Sequence, residues 1–326
     1  MKQKALITGI SGFAGSYLAE FLLGKNLKVA GIIRKKENPN ITHIEDKLEL
    51  FLADLQNEAQ VKKIFKKVKP DIIFHLAGFS VPRLSFENPS KVFEANVISA
   101  VNLFEAIVSA KLKPVVISIG SSEVYGITEA GRKISEKFPV QPISPYGVSK
   151  ATQDNLAYYY FKNYQIPAIV LRPFNHIGPR LQPTIAVSSF AKQIAAIEKG
   201  FAESVIYVGN LKARRDFTDV RDMVRAYFLA TLRCTPGEIY NVGSGKSYSL
   251  AKILEILLTF AKVKIKIKID KKLLRPLDIP EFVADSTKFM KKTSWKPEIT
   301  LEKTLKDTLN YWRAQVGISH SPQALA

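Results

Sequence analysis

Two hydrophobic periods alternate along the first half of the chain. Short apolar runs, KALITGI, LKVAGII, LELFLADL, DIIFHLAG, PVVISIGS and PAIVLRPF, read as strands, and between them SYLAEFLLGKN, EAQVKKIFKKV and PSKVFEANVISAVNLFEAIVSAK space their apolar residues at helical intervals. Strands alternating with helices predict parallel βαβ units and an α/β fold, a Rossmann-type doubly wound sheet with helices on both faces. Ligands of such folds sit beyond the carboxyl ends of the strands.

After Pro173 the pattern loosens into loops, shorter helices, a second group of strands and Pro-rich turns such as RLQP and LLRPLDIPE. The expected division is a dinucleotide-binding domain over 1–173 and a smaller C-terminal substrate-binding domain over most of 174–326. The helix in DVRDMVRAYFLATL, near 219–233, is expected to pack back on the first domain. KVKIKIKID, from Lys262 to Asp270, alternates with period two, which places its lysines on one strand face and Val263, Ile265, Ile267 and Ile269 on the other. It reads as a solvated edge strand.

Composition narrows the field. With 326 residues and 46% hydrophobic content the chain can bury a substantial core. No run approaches the ~20 apolar residues of a membrane span, and no signal-peptide core is present, so the expectation is a cytoplasmic protein with no membrane partner. The single cysteine, Cys234, allows no internal disulfide, and four histidines without ligand spacing predict no metal. A net charge of +19 raises nucleic acid as a partner, but the lysines are scattered and no aromatic interleaving or binding motif accompanies them. No nucleic-acid partner is expected.

The first strand runs into Gly9-Ile10-Ser11-Gly12-Phe13-Ala14-Gly15 and then a helix. Glycines there permit a tight turn, close approach of backbone to a pyrophosphate and close helix–strand packing, while the helix N-terminus favours the anion. The second strand ends in Arg34-Lys35-Lys36, where an NAD site would place an acid on the ribose 2′-hydroxyl. A cation suits the 2′-phosphate of NADP, so NADP(H) is favoured over NAD(H). Asp54 and Leu55, after the third strand, and Leu76, Ala77 and Gly78, after the fourth, complete the expected cofactor-binding set; a helix N-cap is the alternative role for Asp54. GSGKS in NVGSGKSYSL lacks the earlier glycine of a phosphate-binding loop, since Tyr240 stands there, and reads as a turn before a helix beginning near Ser249.

SPYGVSK opens a helix with Tyr146 and Lys150 on one face. An ammonium beside a phenol is expected to lower the phenol's pKa and make Tyr146 a general acid or base. TGISGFAG, SSEVYG and SPYGVSK, in this order, resemble the extended short-chain dehydrogenase/reductases that act on nucleotide sugars. That resemblance implies a catalytic trio of Ser121, Tyr146 and Lys150, with Ser121 bonding the reacting oxygen and Lys150 holding the nicotinamide ribose. RPFNHIGPR, VGNLKARRDFTDVRD, YNVGSG, LRPLDIPE and SWKPEITLEKTL look like the GDP-mannose branch, which implies a GDP-sugar substrate contacted by Asn175, Lys192, Arg215 and Arg275. The resemblance also implies a homodimer through helices starting near Ser90 and Ser149.

The branch holds dehydratases and reductases. Glu123 stands where dehydratases keep the base that removes a proton beside a transient ketone, yet reductases also read SSE there. Asn175-His176-Ile177-Gly178-Pro179 and Arg215-Asp216-Phe217-Thr218-Asp219-Val220-Arg221-Asp222 resemble the reductase wording, as does the length. The expectation is therefore reduction of the C4 ketone of GDP-4-keto-6-deoxy-D-mannose, with dehydration through Glu123, or a silent NADP-binding protein, as the alternatives. His75 reads as a packed core histidine, and His176 lies nearer the expected sugar.

Overall fold

The computed structural model describes residues 2–129, 131–274 and 279–317. The six predicted runs become β1 (Lys4–Thr8), β2 (Lys28–Ile33), β3 (Leu48–Leu52), β4 (Ile72–His75), β5 (Val115–Ile119) and β6 (Ala168–Pro173). After them come β7 (Asn175–Ile177), β8 (Val205–Val208), β9 (Arg214–Asp219) and β10 (Ile239–Val242). A seven-stranded sheet runs in the order β10-β6-β5-β4-β1-β2-β3, every pairing parallel. The order reverses beside β1, and in open α/β sheets ligands bind at such a reversal.

The central strands are apolar on both faces because helices cover both. Helices α1 (Phe13–Gly24), α2 (Glu58–Val68), α3 (Pro89–Phe93), α4 (Ser99–Ser109), α5 (Pro145–Tyr164), α6 (Ala186–Glu198) and α7 (Val220–Arg233) follow in chain order. Leu18, Leu22, Met223 and Tyr227 of α1 and α7 pack on Ile7, Ile117 and Leu171. On the opposite face Phe65, Leu103, Ile107 and Tyr160 of α2, α4 and α5 pack on Leu6, Ile73 and Val116. Helix α2 shows why such segments form. Asn57 caps it by accepting from Gln60 N, and Val61, Ile64, Phe65 and Val68 make one buried stripe with lysines on the other side.

Helices α3 and α4 join through a π turn over Glu94–Ile98. The combined Pro89–Ser109 helix is long and apolar enough to cross a bilayer, and half of its most apolar 18-residue stretch is buried inside the fold.

A second core gathers α6, α8 (Leu250–Thr259) and α10 (Leu301–Gln315) around β8, with Phe190, Ile194, Ile206, Leu257 and Leu309 at its centre. Helix α9 (Thr287–Thr293) instead contributes Phe289 to the α1–α7 face. Strand β9 pairs with β7, with β11 (Ser247–Ser249) and with β13 (Glu281–Phe282). Among the described residues, strand β12 (Lys266–Ile269) pairs with β8 alone. It is the solvated edge strand that the lysine alternation predicts, with Ile267 and Ile269 49% and 65% exposed beside the lysines.

Candidate active site

The cofactor end is built from backbone and from missing side chains. Gly9 has φ +72°, and a Cβ on it would lie 2.9 Å from Ala77 N. A Cβ on Gly15 would lie 2.1 Å from the Gly9 carbonyl oxygen, to which Gly12 N also donates at 3.0 Å. The turn therefore folds against both the β4 end and α1, whose N-cap, Gly12, brings no side chain over the first turn. Such a bare N-terminus favours an anion. The ring of Phe13 stacks on His176 at 5.7 Å, joining the turn to β7, and Ala14 follows it into α1.

Thr8 Oγ1 accepts from Ala77 N and lies 2.8 Å from His75 Nδ1, tying the ends of β1 and β4 together. Burial pushes His75 down to about 3, with Lys150 adding to the effect, so it is a neutral core histidine as expected. Arg34 is exposed one residue beyond β2. Asp54 accepts from Gln56 N, and the α2 cap is Asn57, which removes the N-cap role considered for Asp54. Leu55 is buried, Leu76 and Ala77 are half-buried, and Gly78 is exposed with φ +152°.

The chemical end uses buried polar side chains. Strand β5 delivers Ser121, whose Oγ accepts from Glu123 N and caps a short turn over Ser122–Tyr125. Ser144 caps α5 by accepting from Gly147 N, Pro145 opens the helix, and Tyr146 follows in its first turn. Ser121 and Tyr146 share a side-chain hydrogen bond. Lys150, one turn later, donates to the Ile119 carbonyl at 2.8 Å and to Gln153 Oε1 at 2.9 Å. Burial raises Tyr146 to about 12, the Ser121 bond opposes this, and Glu123 and Asp154 add to it. This corrects the expectation of a lowered phenol: the Lys150 ammonium is spent on the β5 carbonyl and Gln153, and desolvation decides. Lys150 itself falls to about 8 through burial, with Asp154 holding it up.

The expected sugar-binding residues are less gathered. Asn175 is exposed at the start of β7. The Lys192 ammonium lies 5.5 Å from the Trp312 ring, whereas the buried Arg215 guanidinium donates to the carbonyls of Arg214 and Ile279. Arg275 lies outside the described residues. His176, whose pKa burial lowers, sits between Phe13 and the β7–β9 pair. The GSG turn closes on the buried Asp216, which accepts from Ser244 N and Gly245 N, and Ser249 caps α8 as expected. Its amides face a carboxylate and cradle no phosphate.

Two hydrogen-bonded clusters behind the site escaped sequence reasoning. Asp154 Oδ2 pairs with Arg172 Nε at 2.8 Å, Arg172 Nη1 donates to Tyr125 OH, and Tyr125 OH donates to Asn241 Oδ1. Asn96, inside the π turn, accepts from Phe79 N and donates to Ser149 Oγ. An arginine inside an apolar strand and a carboxylate four residues after Lys150 were the available signals.

Residues 6–308 match the family described as GDP-mannose 4,6 dehydratase. GDP-6-deoxy-D-mannose reductase of Pseudomonas aeruginosa is 30% identical over 97% of this chain and 99% of its own length. GDP-mannose 4,6-dehydratase of Vibrio cholerae is also 30% identical, over 93% of this chain and 91% of its own. The structure of RMD from Pseudomonas aeruginosa complexed with NADPH superposes with a TM-score of 0.85 at 28% identity, covering 97% of this chain and 100% of that one. Thermus thermophilus UDP-glucose 4-epimerase, in complex with NAD, gives 0.87 at 26% identity, covering 96% and 100%.

Proposed function

The chain belongs to the GDP-mannose 4,6-dehydratase family, and we propose that within it this protein is an NADPH-dependent reductase converting GDP-4-keto-6-deoxy-D-mannose to GDP-D-rhamnose. The observation that carries this reading is the end-to-end correspondence with the Pseudomonas aeruginosa reductase, 97% of one chain on 99% of the other. The NHIGP and RDFTDVRD wording points the same way. In this reading residues 1–173, joined by α7, hold the dinucleotide, and most of 174–326 holds the GDP-sugar.

The glycine turn fits a dinucleotide because Cβ atoms at Gly9 and Gly15 would fill the space against Ala77 and Gly9. Arg34 suits a 2′-phosphate, and the NADPH bound to RMD agrees. NADPH, when bound, supplies the hydride. Tyr146 then delivers its hydroxyl proton to the oxygen forming at C4. A phenol raised to about 12 still carries that proton at neutral pH, the starting state that reduction requires. Ser121, already bonded to Tyr146, aligns the same oxygen. Lys150, held by the Ile119 carbonyl and Gln153, serves the ribose. Exposed Ile98, Val148, Tyr158 and Tyr159 on the π turn and α5 offer the apolar face of a homodimer.

Dehydration is the second reading, because the Glu123 carboxylate lies close enough to raise the Tyr146 pKa. Incubation with GDP-4-keto-6-deoxy-D-mannose plus NADPH, beside GDP-mannose plus catalytic NADP, separates the two by product NMR. A 6-deoxyhexose formed with matching NADPH loss, and unchanged GDP-mannose, supports the reductase. Keto sugar formed from GDP-mannose, with none reduced, overturns it.

A further inference from the structure

We propose that Asp154 is a positioning residue for Lys150: its carboxylate, one helical turn behind the lysine and clamped by Arg172, keeps the buried ammonium charged and held at the end of β5. The inference rests on the reading of Lys150 as the residue that serves the nicotinamide ribose.

Lys150, Asp154 and Arg172 are 4%, 3% and 3% exposed, so none is screened by solvent. The groups acting on Lys150 come from three elements. Helix α5 itself supplies Gln153 and Asp154, β5 the Ile119 carbonyl and β4 the neutral His75, while Arg172 of β6 pairs with Asp154. Asp154 is thus the anionic group acting on Lys150, and Glu123 acts on Tyr146 instead.

The carboxylate is asymmetric. Oδ2 is taken by Arg172, while Oδ1 is buried with no hydrogen-bond partner, in space left by Gly120, where a Cβ would approach it to 2.6 Å. Burial draws Asp154 up to about 6 and Arg172 opposes this, so the arginine keeps it ionised at neutral pH. Tyr125 and Asn241 in turn fix the guanidinium. A pair serving packing alone gains little over apolar substitutes; a lone oxygen behind the lysine has an electrostatic use.

The test is the Lys150 titration in the full chain, followed by NMR of lysine labelled with carbon-13 at Cε and assigned with Lys150→Arg. In the unaltered protein the midpoint is expected near 8, where burial lowers Lys150. Asp154→Asn is expected to lower that midpoint by about one pH unit or more, and Asp154→Glu to restore it. Because Asp154→Asn strands a buried guanidinium, the double variant Asp154→Asn/Arg172→Met is measured too. It relieves the unpaired charge and is expected to keep the lowered midpoint, with the alkaline limb of kcat/KM for the keto sugar moving down equally. An unchanged midpoint in both variants overturns the proposal. A shifted midpoint in a protein that reduces no keto sugar overturns the functional reading and leaves this one standing.

Discussion

The two ends of the cleft are held by opposite means. At the β1–α1 turn the fold removes side chains, so that backbone meets backbone at Gly9, Gly12 and Gly15. At the β5–α5 end it buries side chains, taking Tyr146, Lys150, Asp154 and Arg172 out of water and pairing them. Errors at the first end are steric and felt at once; errors at the second change charge states while the shape persists.

The sharpest way to separate the ends is Tyr146→Phe, which removes the proton donor and leaves the glycine turn intact. Ketone reduction is expected to fall about 10²–10⁴-fold in kcat, with NADPH affinity nearly unchanged by fluorescence titration. Gly15→Ala attacks the other end. Its Cβ meets the Gly9 carbonyl at 2.1 Å, and the forced shift should cost about 1–3 kcal/mol, read as a lower Tm and NADPH affinity weakened roughly 10–100-fold.

Titration moves only the chemical end. Lys150, lowered to about 8, is charged below that pH, so kcat/KM should hold on the acid side and fall about tenfold per unit above it. Its contribution to stability has the opposite sign. Between about 8 and its ordinary value of 10.5 the unfolded chain binds the extra proton, so this group favours the fold increasingly as pH rises, which denaturant titrations across that window check. The smallest effect belongs to Glu123→Gln, expected to change ketone reduction by less than about twofold; a tenfold loss in the same assay would make the carboxylate a participant.

The layout of the large sheet was legible because strands covered on both faces keep apolar runs, and because Gly9 to Gly15 sits between a strand and a helix. Period two also marked β12 as a solvated edge strand, and it stands exposed beside β8. At the site, Ser121, Tyr146 and Lys150 were legible as a set; the structure links Ser121 with Tyr146 and gives Lys150 to the Ile119 carbonyl and Gln153. The direction of the Tyr146 shift was not, since it depends on how deeply the phenol is buried and on the Ile119 carbonyl drawing the ammonium away. Arg172 and Asp154 lie on different elements, and their pairing follows from β6 lying beside β5 with α5 packed over it.

The π turn over Glu94–Ile98 carries a consequence for chain length. A π turn widens the helix by one residue, and that bulge aims Asn96 at both Phe79 and Ser149. Deleting one residue there would let the helix close into regular α geometry with its flanks nearly in phase and Asn96 lost from between Phe79 and Ser149, whereas the same deletion inside α4 would turn the segment ahead of the cut by about 100° relative to the segment after it. Loops elsewhere tolerate lost residues; this helix counts them.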